Sequence, residues 1–117
     1  MHELSIAMSI LEAAQRELAL YKGADLRRIS VRVGELAGVD PEALRFSFDA
    51  ITRETAWEGV ELQLDYIART NQCMDCGAQF VVKNAELRCP ECGDINTTFL
   101  RGDEWEIASL ELEEVEV

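Results

Sequence analysis

The chain has 117 residues, 48% of them hydrophobic, and a formal net charge of −12 at pH 7. This length and apolar content suit one small domain, or one domain that carries a smaller one, and no stretch is apolar enough for a membrane span. The acidic excess argues against a nucleic-acid-binding function, because phosphates need a basic surface, but it suits cations, a basic partner or simple solubility.

The first predicted element is a helix that begins directly after His2, the only histidine of the chain. Gly23 is a suitable C-terminal stop, so the helix is expected to cover about twenty residues and to bury one apolar stripe. The stripe residues recur at helical spacing: Leu4, Ala7, Met8, Leu11, Ala14 and Leu18.

His2 itself is a candidate metal ligand, because imidazole binds nickel, copper and zinc. A histidine at the second position can chelate an ion together with the α-amine and the intervening amide. Such nitrogen-rich, nearly planar sites suit Ni(II) or Cu(II). Glu3 adds a carboxylate next to it. Taken alone, the pattern does not decide the matter, since most terminal histidines bind no metal.

Residues 28–34 alternate between apolar and polar side chains, with Ile29, Val31 and Val33 on one face, which predicts a half-buried strand. The following loop, residues 34–39, has two glycines. It lacks the spacing and the lysine of a phosphate-binding loop, so no nucleotide site is predicted there.

A second helix is expected to begin at Asp40-Pro41, where Asp40 can act as the N-cap and Pro41 suits the first helical position. Its predicted core face consists of apolar residues four or three positions apart with two flanking residues: Leu44, Phe48 and Ile51, then Ala43 and Phe46. A second strand is expected after Gly59, with one apolar face: Val60, Leu62, Leu64 and Tyr66.

The four cysteines are the most specific signal in the sequence. Cys73 and Cys76 form one C-x-x-C pair, Cys89 and Cys92 form another, and twelve residues separate the pairs. Each pair can present two thiolates to one ion from a tight turn, and two pairs complete a tetrahedral zinc site. Because such a site has no open coordination position, the predicted role of the zinc is structural. Short strands expected at 78–82 and 97–100 complete the pattern of a zinc ribbon.

Two disulfides and a thioredoxin-like redox motif are the alternatives for these cysteines. The N-terminus lacks the basic region and apolar run of a signal peptide, so we expect a cytoplasmic protein with reduced thiols. A redox motif needs only one C-x-x-C pair, whereas this chain has two matched pairs.

The predicted fold class is α+β: a small sheet of about three strands with two helices, plus an inserted four-cysteine zinc-ribbon module. Residues 1–69 and 102–117 form the first domain in this prediction, because the last strand-like stretch is expected to return to the main sheet. Residues 70–101 form the zinc-binding domain. The final glutamates are expected to form a frayed acidic tail: Glu113, Glu114 and Glu116.

Three features together resemble the HypA/HybF family of hydrogenase maturation factors. They are the opening residues Met1-His2-Glu3-Leu4-Ser5, the central stretch Val33-Gly34-Glu35-Leu36-Ala37-Gly38-Val39, and the two C-x-x-C pairs. The resemblance covers essentially the whole chain in the same order, and no ligand position departs from the pattern of the family.

The resemblance implies a nickel metallochaperone with two metal sites. The nickel site of the family falls on His2 and Glu3 in the first domain, and its zinc site falls on Cys73, Cys76, Cys89 and Cys92. Members of the family work with a GTPase partner, HypB, and deliver nickel to the large subunit of [NiFe]-hydrogenase. Some members also serve urease maturation.

The leading alternative is a zinc-ribbon adaptor that binds a protein partner and carries no transferable metal. A nucleic-acid-binding ribbon is disfavoured by the acidic charge. An enzyme is not expected, because the sequence offers no open metal site, no second histidine and no nucleophile–base pair.

Overall fold

The computed structural model describes residues 2–114 of the chain. The elements follow one another in this order: α1 (Glu3–Leu18), β1 (Ala24–Gly34), a 3₁₀ turn (Glu35–Ala37), α2 (Pro41–Thr52), β2 (Glu61–Ile67), β3 (Thr70–Cys73), β4 (Gln79–Val81), β5 (Thr97–Arg101) and β6 (Trp105–Glu114). Two helices and two three-stranded sheets confirm the predicted α+β fold class. Within the described residues, no helix has the length and apolar character needed to cross a membrane.

The described residues divide into two compact units. The first unit comprises residues 2–32, 39–65 and 106–114, and the second comprises residues 33–38 and 66–105. The second unit contains all four cysteines. It also contains the stretch 33–38, whose place in this unit the sequence did not indicate. The assignment of nickel to the first domain and zinc to the second stays a prediction.

Helix α1 begins after His2, whose carbonyl accepts the first helical hydrogen bond from the N–H of Ile6 at 3.2 Å. The helix ends at Leu18, and Gly23 has a φ of 81° in the turn before β1. Leu4 and Met8 were predicted to be buried, but they are 40% and 48% exposed. The buried face of the helix is rotated away from them and consists of Ile6, Ala7, Ile10, Leu11 and Ala14.

Helix α2 begins as predicted at Asp40, whose Oδ1 accepts hydrogen bonds from the N–H groups of Glu42 and Ala43 at 3.0 and 3.4 Å. Leu44 and Phe48 lie four positions apart and are completely buried. Phe46 was predicted to flank this core, and that prediction is wrong, because Phe46 is 76% exposed. Two positions along a helix correspond to about 200° of rotation, so Phe46 faces away from Phe48.

Strand β1 is the central strand of the first sheet, whose order is β2-β1-β6. The predicted return of the last strand to the main sheet is therefore confirmed. Ion pairs join Arg28 to Glu111 at 3.0 Å and Arg32 to Glu106 at 2.7 Å. Because a later position on β1 pairs with an earlier one on β6, these strands run antiparallel. The buried side chains of β1 are Leu26, Ile29, Val31 and Val33.

The two other strands of this sheet bury few side chains. On β2, Leu62 is buried, whereas Tyr66 at the far end is 61% exposed. On β6, no side chain is fully buried. The predicted frayed tail is wrong for Glu113 and Glu114, which belong to β6, and Glu113 pairs with Arg27. Glu116 lies outside the described residues.

Replacing Phe48 by alanine is expected to destabilise the chain by about 3–5 kcal/mol, because it removes a buried aromatic ring and leaves a cavity. The matched control is Phe46→Ala, in which an exposed ring of the same helix is removed. This control should change the free energy of unfolding by no more than about 0.5 kcal/mol. Urea denaturation of both variants checks the prediction, and equal losses would show that the assignment of the buried face is wrong.

Candidate metal centre

The second unit is built on a sheet with the order β4-β3-β5. Strand β3 pairs antiparallel with both neighbours, so that Asn71 lies opposite Phe80 on one side and Phe99 on the other. The structure confirms short strands after each cysteine pair. The central strand was not predicted, since its sequence, Thr70-Asn71-Gln72-Cys73, lacks an apolar alternation. This strand ends at the first metal-ligand candidate.

The first cysteine turn is held by its own backbone. The N–H of Gly77 donates to the carbonyl of Cys73 at 3.0 Å, and Gly77 has a φ of 79°. The N–H of Cys76 points at the Sγ of Cys73 at a distance of 3.5 Å. A tight turn with a left-handed glycine therefore brings both sulfurs of the pair to one side.

The second cysteine turn repeats the same geometry. The N–H of Gly93 donates to the carbonyl of Cys89 at 2.9 Å, and Gly93 has a φ of 78°. The N–H of Cys89 donates to the carbonyl of Asp94 at 2.9 Å, as that of Cys73 does to Ala78. The glycine that follows each cysteine pair thus has a positive φ.

The four sulfur atoms converge on one point. All lie within 4.8 Å of one another, and the closest contacts join the two turns: Cys73 Sγ to Cys92 Sγ at 3.5 Å and Cys76 Sγ to Cys89 Sγ at 3.6 Å. In a tetrahedral zinc site with Zn–S bonds of about 2.3 Å, neighbouring sulfurs lie about 3.8 Å apart. The donor type, number and spacing therefore fit a zinc ion.

The surroundings of Cys73 and Cys92 shift the pKa values of these two thiols in opposite directions. The N–H of Cys76, and that of Asp75, lower the pKa of Cys73 to about 7, although burial opposes this effect. At Cys92 the N–H of Asp94 favours the thiolate, but the sulfur of Cys73, burial and the other sulfurs outweigh it and raise the pKa to about 12. Several negative sulfurs at this distance need a cation to balance them.

The pKa of Cys76 is also raised. The N–H of Ala78 lowers it, but burial and the neighbouring sulfurs of Cys89 and Cys73 together have the larger effect. Without metal, Cys76 and Cys92 therefore keep their protons at neutral pH, whereas Cys73, with a pKa of about 7, is partly ionised.

The nickel-ligand candidates lie in the first unit. His2 is exposed and directly precedes α1, with φ −88° and ψ 112°, and its side chain makes no capping hydrogen bond. Glu3 is half-buried in the first turn of the helix. Within residues 2–114, neither belongs to a cluster of three or more potential metal-binding side chains. The α-amine belongs to Met1, which lies outside the described residues.

The central stretch around Gly34 and Glu35 has a structural role that the sequence did not reveal. A Cβ added at Gly34 would overlap the carbonyl of Gly102 and lie 2.6 Å from the nitrogen of Asp103. The Oε1 of Glu35 accepts a hydrogen bond from the N–H of Arg69 at 3.1 Å. These residues hold together the backbone segments of the second unit that precede β3 and follow β5.

Comparisons with known proteins agree with this architecture. A family model described as "Hydrogenase/urease nickel incorporation, metallochaperone, hypA" matches residues 1–112. Hydrogenase maturation factor HypA of Chlorobium limicola is 38% identical over 114 residues, which cover 97% of this chain and 98% of that protein. HypA of Syntrophus aciditrophicus is 37% identical over 113 residues, with 97% and 98% covered.

A solved structure shares the fold. The solution structure of the Ni metallochaperone HypA from Helicobacter pylori has a TM-score of 0.62 at 22% identity and covers 99% of this chain and 100% of that chain.

The fold and the cysteine cluster define a small α+β protein with a metal-binding centre. The chain belongs to the HypA family of metallochaperones for nickel incorporation into hydrogenase and urease. Members of this family are metallochaperones and not enzymes, which confirms the prediction that the chain is not an enzyme.

Binding of Zn²⁺ to the metal-free chain at pH 7 should release at least two protons, one each from Cys76 and Cys92. The lowered pKa of Cys73 favours its thiolate above about pH 7, and this advantage is lost as the pH falls through that value. As the pH is lowered from 8 to 6, the number of protons released should therefore rise and the affinity for zinc should fall. Calorimetry in buffers of different ionisation enthalpy measures this number. Fewer than two protons at pH 7, or a decrease on acidification, would contradict the prediction.

Proposed function

We propose that the chain binds Ni(II) at its N-terminus through His2, with Glu3, and carries it as cargo for delivery. The observation that carries this proposal is the position of the only histidine, exposed on extended backbone directly before α1, in a member of a nickel-incorporation family. Imidazole and amide nitrogens in one short segment form the kind of donor set that suits nickel.

The local backbone supports this site. The first N–H groups of a helix have no acceptor within the helix, and the first helical hydrogen bond of α1 is donated by Ile6. The amide nitrogens of His2 and Glu3 are therefore not used by the helix. The positive end of the helix dipole opposes a bound cation, whereas the carboxylate of Glu3 favours it. This balance suits a cargo ion that must be released.

The zinc ion in this proposal is resident and structural. Cys73, Cys76, Cys89 and Cys92 use all four tetrahedral positions, so a bound zinc has no position left for a substrate or for exchange. The second unit has few buried apolar side chains, and metal–thiolate bonds would supply much of its folding free energy.

Membership of a nickel-incorporation family supports a delivery step. We propose that the chain works in the cytoplasm with a HypB-type GTPase and transfers nickel to the large subunit of [NiFe]-hydrogenase, or to urease maturation proteins. Reducing conditions in the cytoplasm keep the four thiols available to zinc.

Replacing His2 by alanine should weaken nickel binding at least about 100-fold, because the imidazole is the anchoring ligand. Glu12→Ala, which removes an exposed carboxylate from the same helix, is the matched control for Glu3→Ala. The control should bind nickel as the wild type does, and Glu3→Ala should bind it more weakly. Nickel titration of the untagged proteins, with zinc content and circular dichroism recorded for each, makes the measurement.

Equal nickel binding by His2→Ala and wild type would contradict the N-terminal site. The zinc-ribbon adaptor without transferable metal would then be the better explanation, and the cysteine cluster would have to be tested as the nickel site.

Adding Gly-Ser before Met1 tests whether the α-amine takes part. If it is a ligand, the extension removes it from its position and nickel affinity should fall at least about tenfold. The same two residues added after Val117 are the control and should leave the affinity unchanged. An extended protein that binds nickel normally would show that the α-amine is not a ligand.

A further inference from the structure

A groove lies on the hairpin that connects the two cysteine turns. We call it the hairpin groove; its volume is about 590 Å³, and it is lined by Phe80, Val81, Lys83, Glu86, Arg88 and Pro90. Five of these residues are exposed and Phe80 is half-buried, so the groove is open along its length. This volume lies in the range of ligand-binding clefts, but its openness suits a polypeptide segment better than an enclosed small molecule.

A tight turn gives the groove its shape. Lys83 and Glu86 form a backbone bridge, and the two residues between them, Asn84 and Ala85, have φ values of 54° and 60°. Positive φ at both central positions is the geometry of a two-residue hairpin turn. The turn places Lys83 and Glu86 beside each other at the end of the hairpin.

Hydrogen bonds fix the two ends of Arg88. Its backbone N–H donates to the Oε1 of Glu86 at 3.0 Å, and its guanidinium donates through Nη1 to the carbonyl of Gly93 at 3.1 Å. Arg88 is thus held against the second cysteine turn, while the remaining N–H groups of its guanidinium are left for other acceptors.

The groove carries two cationic side chains, Lys83 and Arg88, and one carboxylate, Glu86. The ion pairs found within residues 2–114 all use arginines of β1, so neither Lys83 nor Arg88 is paired with a carboxylate in the described part of the chain. The carboxylate of Glu86 is already engaged by the N–H of Arg88. Two unpaired cations therefore flank apolar surface from Phe80, Val81 and Pro90, on a protein of net charge −12.

We propose that the hairpin groove binds a short acidic segment of a partner protein, with its carboxylates at Lys83 and Arg88 and an apolar side chain against Val81 and Phe80. Charge complementarity selects this occupant, because an unpaired cation pair over apolar surface matches alternating acidic and apolar residues. A nucleic acid fits less well, since two cations neutralise few phosphates and the acidic chain repels a polyanion. None of the lining residues is a proposed metal ligand, although Pro90 belongs to the second cysteine turn.

The test uses the full-length, zinc-loaded chain and fluorescence anisotropy with a fluorescein-labelled peptide of alternating leucine and glutamate. The wild type should bind this peptide more tightly than its leucine–glutamine and leucine–lysine counterparts. Lys83→Glu should weaken the binding about five- to tenfold by replacing attraction with repulsion. Lys22→Glu is the matched control, because Lys22 is an exposed lysine of the first unit and its replacement changes the net charge equally.

A second pair of variants tests the apolar contact. Val81→Ser removes apolar surface from the groove, whereas Leu87→Ser removes it from an exposed side chain of the same hairpin that does not line the groove. Only Val81→Ser should weaken binding, by about threefold or more. Zinc content and circular dichroism establish that each variant is folded.

Four results would overturn the proposal. They are no binding of the acidic peptide by the wild type, equal binding of the leucine–glutamine peptide, equal weakening by Lys22→Glu and Lys83→Glu, and tighter binding of a single-stranded DNA oligonucleotide than of the acidic peptide. The third result would assign the effect to overall charge, and the fourth would assign the groove to nucleic acid.

Discussion

The second unit depends on the convergence of four sulfur atoms. Hydrogen bonds from the backbone stabilise a thiolate at Cys73, and this same sulfur helps to raise the pKa of Cys92 to about 12. The metal-free cluster therefore accommodates negative charge poorly, although its geometry suits a tetrahedral cation. The unit has few buried apolar side chains, namely Val33, Cys73, Val82 and Cys89. The short distances between the sulfurs, which are unfavourable without metal, allow all four to contact one ion.

The first unit has the opposite organisation. Its core is formed by side chains of α1, α2 and β1, with Phe48, Ile29 and Leu44 among the largest that are fully buried. His2 lies outside this core on exposed backbone, so an ion bound there contributes nothing to packing. An ion that stabilises a folded unit leaves it only at a cost in folding free energy, whereas an ion at an exposed terminus can leave without that cost. The two units thus match the two proposed roles, resident zinc and transferable nickel.

Features that depend on residues close together in the sequence were predictable, whereas the direction in which helical side chains face was not. The cysteine pairs and the Asp40 cap were predicted correctly because each depends on residues only two or three positions apart. Helical spacing alone cannot choose between overlapping apolar stripes, which is why Leu4 and Met8 were wrongly assigned to the core when Ile6 and Ile10 occupy it. Strand β3 was not predicted, because its residues are polar and lack the alternation of a half-buried strand. It is nevertheless the central strand of its sheet, paired with β4 and β5, and mostly buried. The hairpin groove depends on the turn at Asn84 and Ala85, for which the sequence offers no glycine signal.

The central Gly34-Glu35 segment is a family motif whose contacts are structural and do not form a metal site. The segment helped to reveal the family, yet its contacts are structural: Gly34 allows the backbone of residues 102–103 to approach closely, and Glu35 binds the N–H of Arg69. Gly102 is constrained as well, since a Cβ there would lie 2.6 Å from the Cα of Arg69. These contacts join the segments that lead into β3 and out of β5, the strands next to the cysteine turns. The motif therefore fixes the entry and exit of the chain around the metal centre, and no metal ligand of its own is needed to explain it.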